Sequence, residues 1–187
     1  MMRLVSRRGI LVAALVTALG VGGVVPARAG QRPLDDFGPA ADFTGIEQWL
    51  NSEPLTMASL RGKVVLVDFW TYTCVNCLNT LPYVTKWYER YKDAGLVVVG
   101  VHTPEFPFER QTSNVRTAIQ RLGIAYPVAQ DNRYATWQAY GNQYWPAAYL
   151  IDQNGRIVLK HFGEGAYAEM EAAIQTLLAT GPRAAAQ

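Results

Sequence analysis

The chain has 187 residues, half of them apolar and 17% charged, a balance that describes a folded globular protein and excludes a disordered one. Its formal charge of +2 is unevenly placed: Arg3, Arg7, Arg8 and Arg28 lie in the first 29 residues with no acid among them, leaving 13 Lys and Arg against 15 Asp and Glu. The remainder is net negative, which argues against a basic footprint for nucleic acid and places no nucleic-acid partner on the folded part.

Residues 1–29 have the three parts of a secretory signal: a basic start, an apolar run from Ile10 to Val25, and Ala27-Arg28-Ala29 as the cleavage site. The run is 16 residues long and interrupted by Gly20, Gly22 and Gly23, short of the roughly 20 needed to span a bilayer. Ser6-Arg7-Arg8-Gly9-Ile10-Leu11 is similar to the twin-arginine export motif, a general secretory signal being the alternative. Either route places the mature chain outside the cytoplasm, in the periplasm, with cleavage after Ala29.

Residues 30–42 are rich in Pro, Gly and Asp and read as a linker, with order expected from Phe43. Short apolar segments at 46–50 and 55–60 precede Lys63 to Trp70, whose Val64-Val65-Leu66-Val67 run predicts a strand buried on both faces. Leu78, Leu81, Val84, Tyr88 and Tyr91 recur at helical spacing, predicting an amphipathic helix from Val75 to Asp93 that Pro82 kinks and Gly95 ends. Leu96 to Val101 reads as a second buried strand, Val115, Ile119 and Leu122 as a helix closed by Gly123, Tyr126 to Ala129 as a short strand, and Arg133 to Tyr140 as a short helix. Ala147 to Ile151 and Ile157 to His161 flank Asp152-Gln153-Asn154-Gly155, an Asn-Gly hairpin signal. Met170, Ile174, Leu177 and Leu178 predict a last helix, and residues 181–187 a tail. The order of elements is that of one α/β domain over residues 43–180, its central mixed sheet flanked by helices, parallel in its first half and ending in an antiparallel hairpin.

Cys74 and Cys77 are the only cysteines and fall where a buried strand gives way to a helix. A thiol at a helix start faces unpaired N–H groups and the positive helix end, which favours the thiolate that attacks disulfides. A loop of two residues is too short to staple a fold, which leaves redox chemistry ahead of a structural bridge. A copper or zinc site is the competing reading, but only His102 and His161 could add to the two thiols, each alone on an apolar stretch. Asp68 lies inside the buried strand, where an ionised carboxylate is costly, so a proton relay to the second thiol is its functional reading.

Val67-Asp68-Phe69-Trp70, Cys74-x-x-Cys77 and Pro82 eight residues after the first cysteine together resemble the thioredoxin pattern of buried acid, tryptophan, redox pair and kinked helix. The chain is most similar to the TlpA-like extracytoplasmic branch. Trp70-Thr71-Tyr72-Thr73-Cys74, His102-Thr103-Pro104-Glu105-Phe106 and Tyr144-Trp145-Pro146-Ala147 look like the redoxin domain of DipZ-type proteins. The resemblance, from Phe43 to Leu178, implies a thioredoxin fold with an N-terminal extension and an insertion around Phe106 to Gln130. It implies that Pro146 is a cis-proline opposite the pair, and that Trp70, Trp145 and Pro146 contact substrate. It further implies thiol-disulfide oxidoreductase chemistry, with Cys74 as nucleophile, Cys77 resolving and no organic cofactor. Protein disulfides would be the substrates, and a membrane thiol-electron transporter of the DsbD or CcdA kind the electron source. Two features depart from the family. Thr80 stands where members serving cytochrome maturation often carry glutamate, and Trp145 where a small or β-branched residue is usual. A thiol peroxidase is a further alternative because Thr71 lies three before Cys74, but Val67 stands where peroxiredoxins have proline. A copper-binding thiol chaperone is the alternative from another class.

Overall fold

The computed structural model describes residues 34–181; residues 1–33, where the export signal is expected, and the last six residues lie outside the described part. The strands are β1 (Gln48–Leu50), β2 (Val64–Trp70), β3 (Leu96–His102), β4 (Val128–Gln130), β5 (Ala147–Ile151) and β6 (Ile157–Phe162). The helices are α1 (Val75–Tyr91), α2 (Thr112–Arg121), α3 (Ala135–Ala139) and α4 (Tyr167–Thr180). They form one mixed six-stranded sheet in the order β1-β4-β3-β2-β5-β6. β2 runs parallel to β3, and β3 to β4, while β5 pairs antiparallel with both β2 and β6. This is the thioredoxin fold, and the segment expected as an insertion forms α2 and β4 beyond β3.

Every residue of β2 is buried, as its unbroken apolar run requires of a central strand covered on both faces. Its alternation divides the core. Leu66 and Trp70 face Leu81 and Val84 of α1 and Ile174 of α4, whereas Val65, Val67 and Phe69 face Trp137 and Tyr149 on the other side. α1 runs through Pro82 and passes into a single 3-10 turn at Lys92–Ala94 before Gly95 at φ 107°. The hairpin forms as its Asn-Gly signal predicts, with Gly155 at φ 74° and the Asp152 carboxylate accepting the N–H groups of Asn154 and Arg156.

Two elements differ from the sequence reading. Residues 36–40 do not behave as a linker. Phe37 N–H donates to Ile157 C=O, Ile157 N–H to Gly38 C=O and Ala40 N–H to Gly155 C=O, each at 2.9 Å, so they cover the outer edge of β6. A sheet edge offers unpaired backbone groups to any extended segment, whatever its side chains. Gln48–Leu50, left unassigned among short apolar segments, is an edge strand antiparallel to β4.

Candidate active site

β2 ends at Trp70, and Thr71, Tyr72 and Thr73 carry the chain to Cys74, the N-cap of α1. The Cys74 sulfur accepts the backbone N–H of Cys77 at 3.3 Å, satisfying one donor that the first helical turn leaves open. Both thiols are free. Cys74 is partly exposed, while Cys77 is buried at 4% exposure behind it. Burial pushes the Cys77 thiol well above its ordinary range; Cys74 and Asp68 add to the rise and a backbone hydrogen bond from Thr71 opposes it. The more exposed sulfur is the one placed to meet an incoming disulfide, and the enclosed one is disposed to hold its proton.

Asp68, on the same face of β2 as Trp70, is 3% exposed and its Oδ1 has no hydrogen-bond partner. Burial raises its carboxyl from 3.8 to about 7. The cause is the strand itself, whose backbone donors are engaged with β3 and β5 and leave none for a side chain. A small cleft brings Asp68 together with Pro146, Thr80, His161 and Tyr167. The Trp145–Pro146 peptide bond is cis, as the resemblance implies.

Trp145 is half-buried, its Nε1 donating to the Thr103 carbonyl at 3.0 Å and its ring centroid 4.1 Å from that of Trp137. Trp70 departs from its expected role as a substrate contact. At 2% exposure its ring is packed in the core. A Cβ on Gly100 would stand 2.9 Å from its Nε1, so the indole occupies the space that the missing side chain leaves. Trp70 falls on the face of β2 that packs with α1 and α4, and its position at the strand end does not bring it to the surface.

Among the described residues neither histidine gathers with the two thiols into a ligand set. His102 is fully buried, edge-on to Trp70 and stacked on Tyr72 with centroids 5.6 Å apart, and burial lowers its imidazole from 6.5 to about 4. His161 Nε2 lies 3.1 Å from the Glu164 carbonyl. Among the described residues no three His, Cys, Asp or Glu side chains gather into a metal-ligand set.

One acid beside the site was not singled out in the sequence. Glu109, in the 3-10 turn between β3 and α2, is fully buried, and its carboxylate accepts the Thr73 hydroxyl at 2.5 Å and the N–H groups of Glu105 and Phe106 at 2.6 and 2.9 Å. Burial would raise it, but hydrogen bonds from Thr71, Thr73, Phe106 and Glu105 outweigh that and hold it below its ordinary value.

The Redoxin family model matches residues 37–176. Protein DipZ of Mycobacterium tuberculosis is 48% identical over 171 residues, which are 86% of this chain and 25% of DipZ, so the chain spans about a quarter of that relative's length. The thiol-disulfide oxidoreductase YkuV of Bacillus subtilis is 31% identical over 68% of this chain and 84% of YkuV. The solution structure of a thioredoxin-like protein in the oxidized form is 30% identical, with a TM-score of 0.69, over 75% of this chain and 95% of that one.

Proposed function

The chain belongs to the Redoxin family of thioredoxin-fold, thiol-disulfide oxidoreductase-type proteins, and on that premise we propose that it reduces or exchanges protein disulfides outside the cytoplasm through Cys74 and Cys77. The observation that carries this reading is the asymmetry of the pair: an accessible sulfur at the N-cap of α1, a buried thiol one turn behind it, and an unpartnered acid beneath.

In the first step the Cys74 thiolate attacks one sulfur of a substrate disulfide, forming a mixed disulfide and releasing the other substrate sulfur as a thiolate. Asp68 then takes the Cys77 proton. The Cys77 thiolate attacks the Cys74 sulfur, closing the Cys74–Cys77 disulfide and releasing the second substrate thiolate, so two electrons pass to the substrate. Pro146, beside the cleft that also holds Asp68, and Trp145 before it line the path of an extended substrate chain. An external dithiol donor must reopen the Cys74–Cys77 disulfide, and a membrane transporter of the DsbD or CcdA kind fits that need. The extracytoplasmic placement is supported by the basic start, apolar run and Ala-x-Ala site of residues 1–29, read as a twin-arginine-like signal cleaved after Ala29.

Insulin-disulfide reduction tests the reading. Cys74→Ser should abolish turnover, and Cys77→Ser should stop at a mixed disulfide that non-reducing electrophoresis detects. A wild-type protein that leaves disulfides intact but binds copper stoichiometrically through both cysteines would overturn it. The glutathione equilibrium of the pair sets the direction: a potential near about −270 mV marks a reductase, one near about −120 mV a disulfide donor.

A further inference from the structure

The chemistry above makes no use of Glu109, yet its carboxylate is met by Thr71 and Thr73, two of the three residues that deliver Cys74. A buried carboxylate is costly unless donors meet it, and this one is met by the Thr73 hydroxyl at 2.5 Å and by two backbone N–H groups at 2.6 and 2.9 Å. The Thr71 hydroxyl faces the same carboxylate and also lies 3.3 Å from His102 Nε2. A hydroxyl both gives and accepts a proton, so a neutral His102 can donate to Thr71 while Thr71 donates to Glu109. Between the two threonines, Tyr72 is stacked on the His102 ring and donates its hydroxyl to the Phe108 carbonyl at 3.3 Å. All three consecutive residues are gripped from the 105–110 loop or from β3, immediately before the N-cap of α1.

We propose that Glu109 is a positioning residue for the redox pair, holding Thr71 and Thr73 so that the Cys74 sulfur stays over the first turn of α1. The proposal rests on the redox reading above. Its thermodynamic consequence follows from which state needs the clamp. In the disulfide, the bond to Cys77 itself ties Cys74 to the helix; in the dithiol, the segment 71–73 and the N-cap hydrogen bond do so. The clamp therefore stabilises the dithiol more than the disulfide, and weakening it favours oxidation.

The test is the equilibrium of the full chain with glutathione, in which the protein disulfide plus two glutathione thiols gives the protein dithiol plus one glutathione disulfide. Thr73→Val removes one hydroxyl donor and leaves the charge in place. Glu109→Gln leaves one side-chain oxygen where two stood and turns an amide N–H₂ toward groups that are themselves donors. Both should shift the equilibrium toward the protein disulfide, by about threefold for Thr73→Val, which removes one of the carboxylate's donors, and about tenfold for Glu109→Gln, which removes the charge that all of them meet. No shift in folded variants overturns the proposal. A Glu109→Gln shift toward the dithiol also overturns it, since relief of negative charge beside a thiolate would then be the larger effect. If Glu109→Gln does not fold, Thr73→Val alone decides. A wild-type pair that forms no reversible disulfide removes the redox reading and this proposal together, a result distinct from an unmoved variant.

Discussion

Two buried carboxylates flank the same pair of thiols and are held in opposite states. Asp68, in the interior of β2, has an orphaned oxygen and is raised by burial to about 7. Glu109, in the loop beside the pair, is just as enclosed, yet its hydrogen-bond donors hold it below the ordinary carboxylate value. Burial raises the cost of charge at both places, and the supply of donors decides whether that cost is met. A central strand commits its N–H groups to its neighbours, so a side chain on it meets none. A tight turn has N–H groups to spare and aims those of Glu105 and Phe106 at one carboxylate. In the proposed mechanism the same residue class thus serves as a proton acceptor in one region and as a fixed anion in the other.

Replacing each acid by its amide is the sharpest way to break this comparison. Asp68 in the fold binds its proton up to about pH 7, against 3.8 ordinarily, so the folded state holds more protons than the unfolded one between those values. Its contribution is most favourable below pH 4 and is lost as pH rises toward 7. Asp68→Asn should therefore stabilise the protein at pH 8, by about 2–4 kcal/mol. Glu109 has the opposite sign: its stabilisation is present above its ordinary value of 4.5 and is lost as pH falls through the lower value it takes in the fold. Glu109→Gln should cost about 1.5–3 kcal/mol at pH 8. Urea unfolding of the two variants reads both, and changes of the same sign would refute the contrast.

The kinetic counterpart concerns Asp68 alone. Losing a general base should slow resolution of the mixed disulfide about a hundredfold at neutral pH. Rapid-quench trapping of the intermediate measures that rate. A Glu109→Gln variant that slowed this step as much as Asp68→Asn would erase the division of roles.

The dryness around Asp68 can also be disturbed from the neighbouring strand. Gly100 stands opposite Asp68 in the β2–β3 register, and Trp70 and Tyr126 fill the space above it. A Cβ there would lie 2.9 Å from both Trp70 Nε1 and Tyr126 Cε2. Gly100→Ala should cost about 1–3 kcal/mol by overpacking, read by thermal or urea unfolding. An unchanged stability would mean that the two rings move aside easily and that Asp68 is less tightly enclosed than its exposure suggests.

What could be read from the chain alone follows the same division. Cys74, Cys77 and Asp68 are legible because their immediate neighbours carry the meaning: a helix start, and an acid within an apolar strand. Pro146 is legible through its likeness to a family motif. Most of the sheet follows from its apolar runs and the Asn-Gly turn. Glu109 is hidden because its donors include a threonine 36 positions earlier, brought to it only when the loop after β3 folds back beside the end of β2. In sequence it is one acid among Pro107-Phe108-Glu109-Arg110. The pairing of residues 36–40 with β6 is equally silent, since backbone groups make it and composition reports only on side chains. Trp70 shows a third way to miss: both faces of β2 are covered, so its ring is packed whichever way the strand's alternation turns it.

The smallest expected effect concerns His102, which opposes Asp68 across the acid range. Its imidazole titrates near 4 in the fold against 6.5 ordinarily, so the folded state binds fewer protons than the unfolded one between those values, and stability falls as pH drops. Asp68 does the reverse over the same interval. Each slope approaches about 1.4 kcal/mol per pH unit when one proton separates the two states. From pH 6.5 down to 4.5 the two should nearly cancel, making the contribution of this pair to wild-type stability flat within about 1 kcal/mol. Asp68→Asn uncovers the histidine: relative to wild type, the variant should lose about 2 kcal/mol across that interval. A constant difference between the two proteins would mean that Asp68 is already ionised at pH 4.5 in the folded state, and would then be too weak a base to draw the proton from Cys77 near neutral pH.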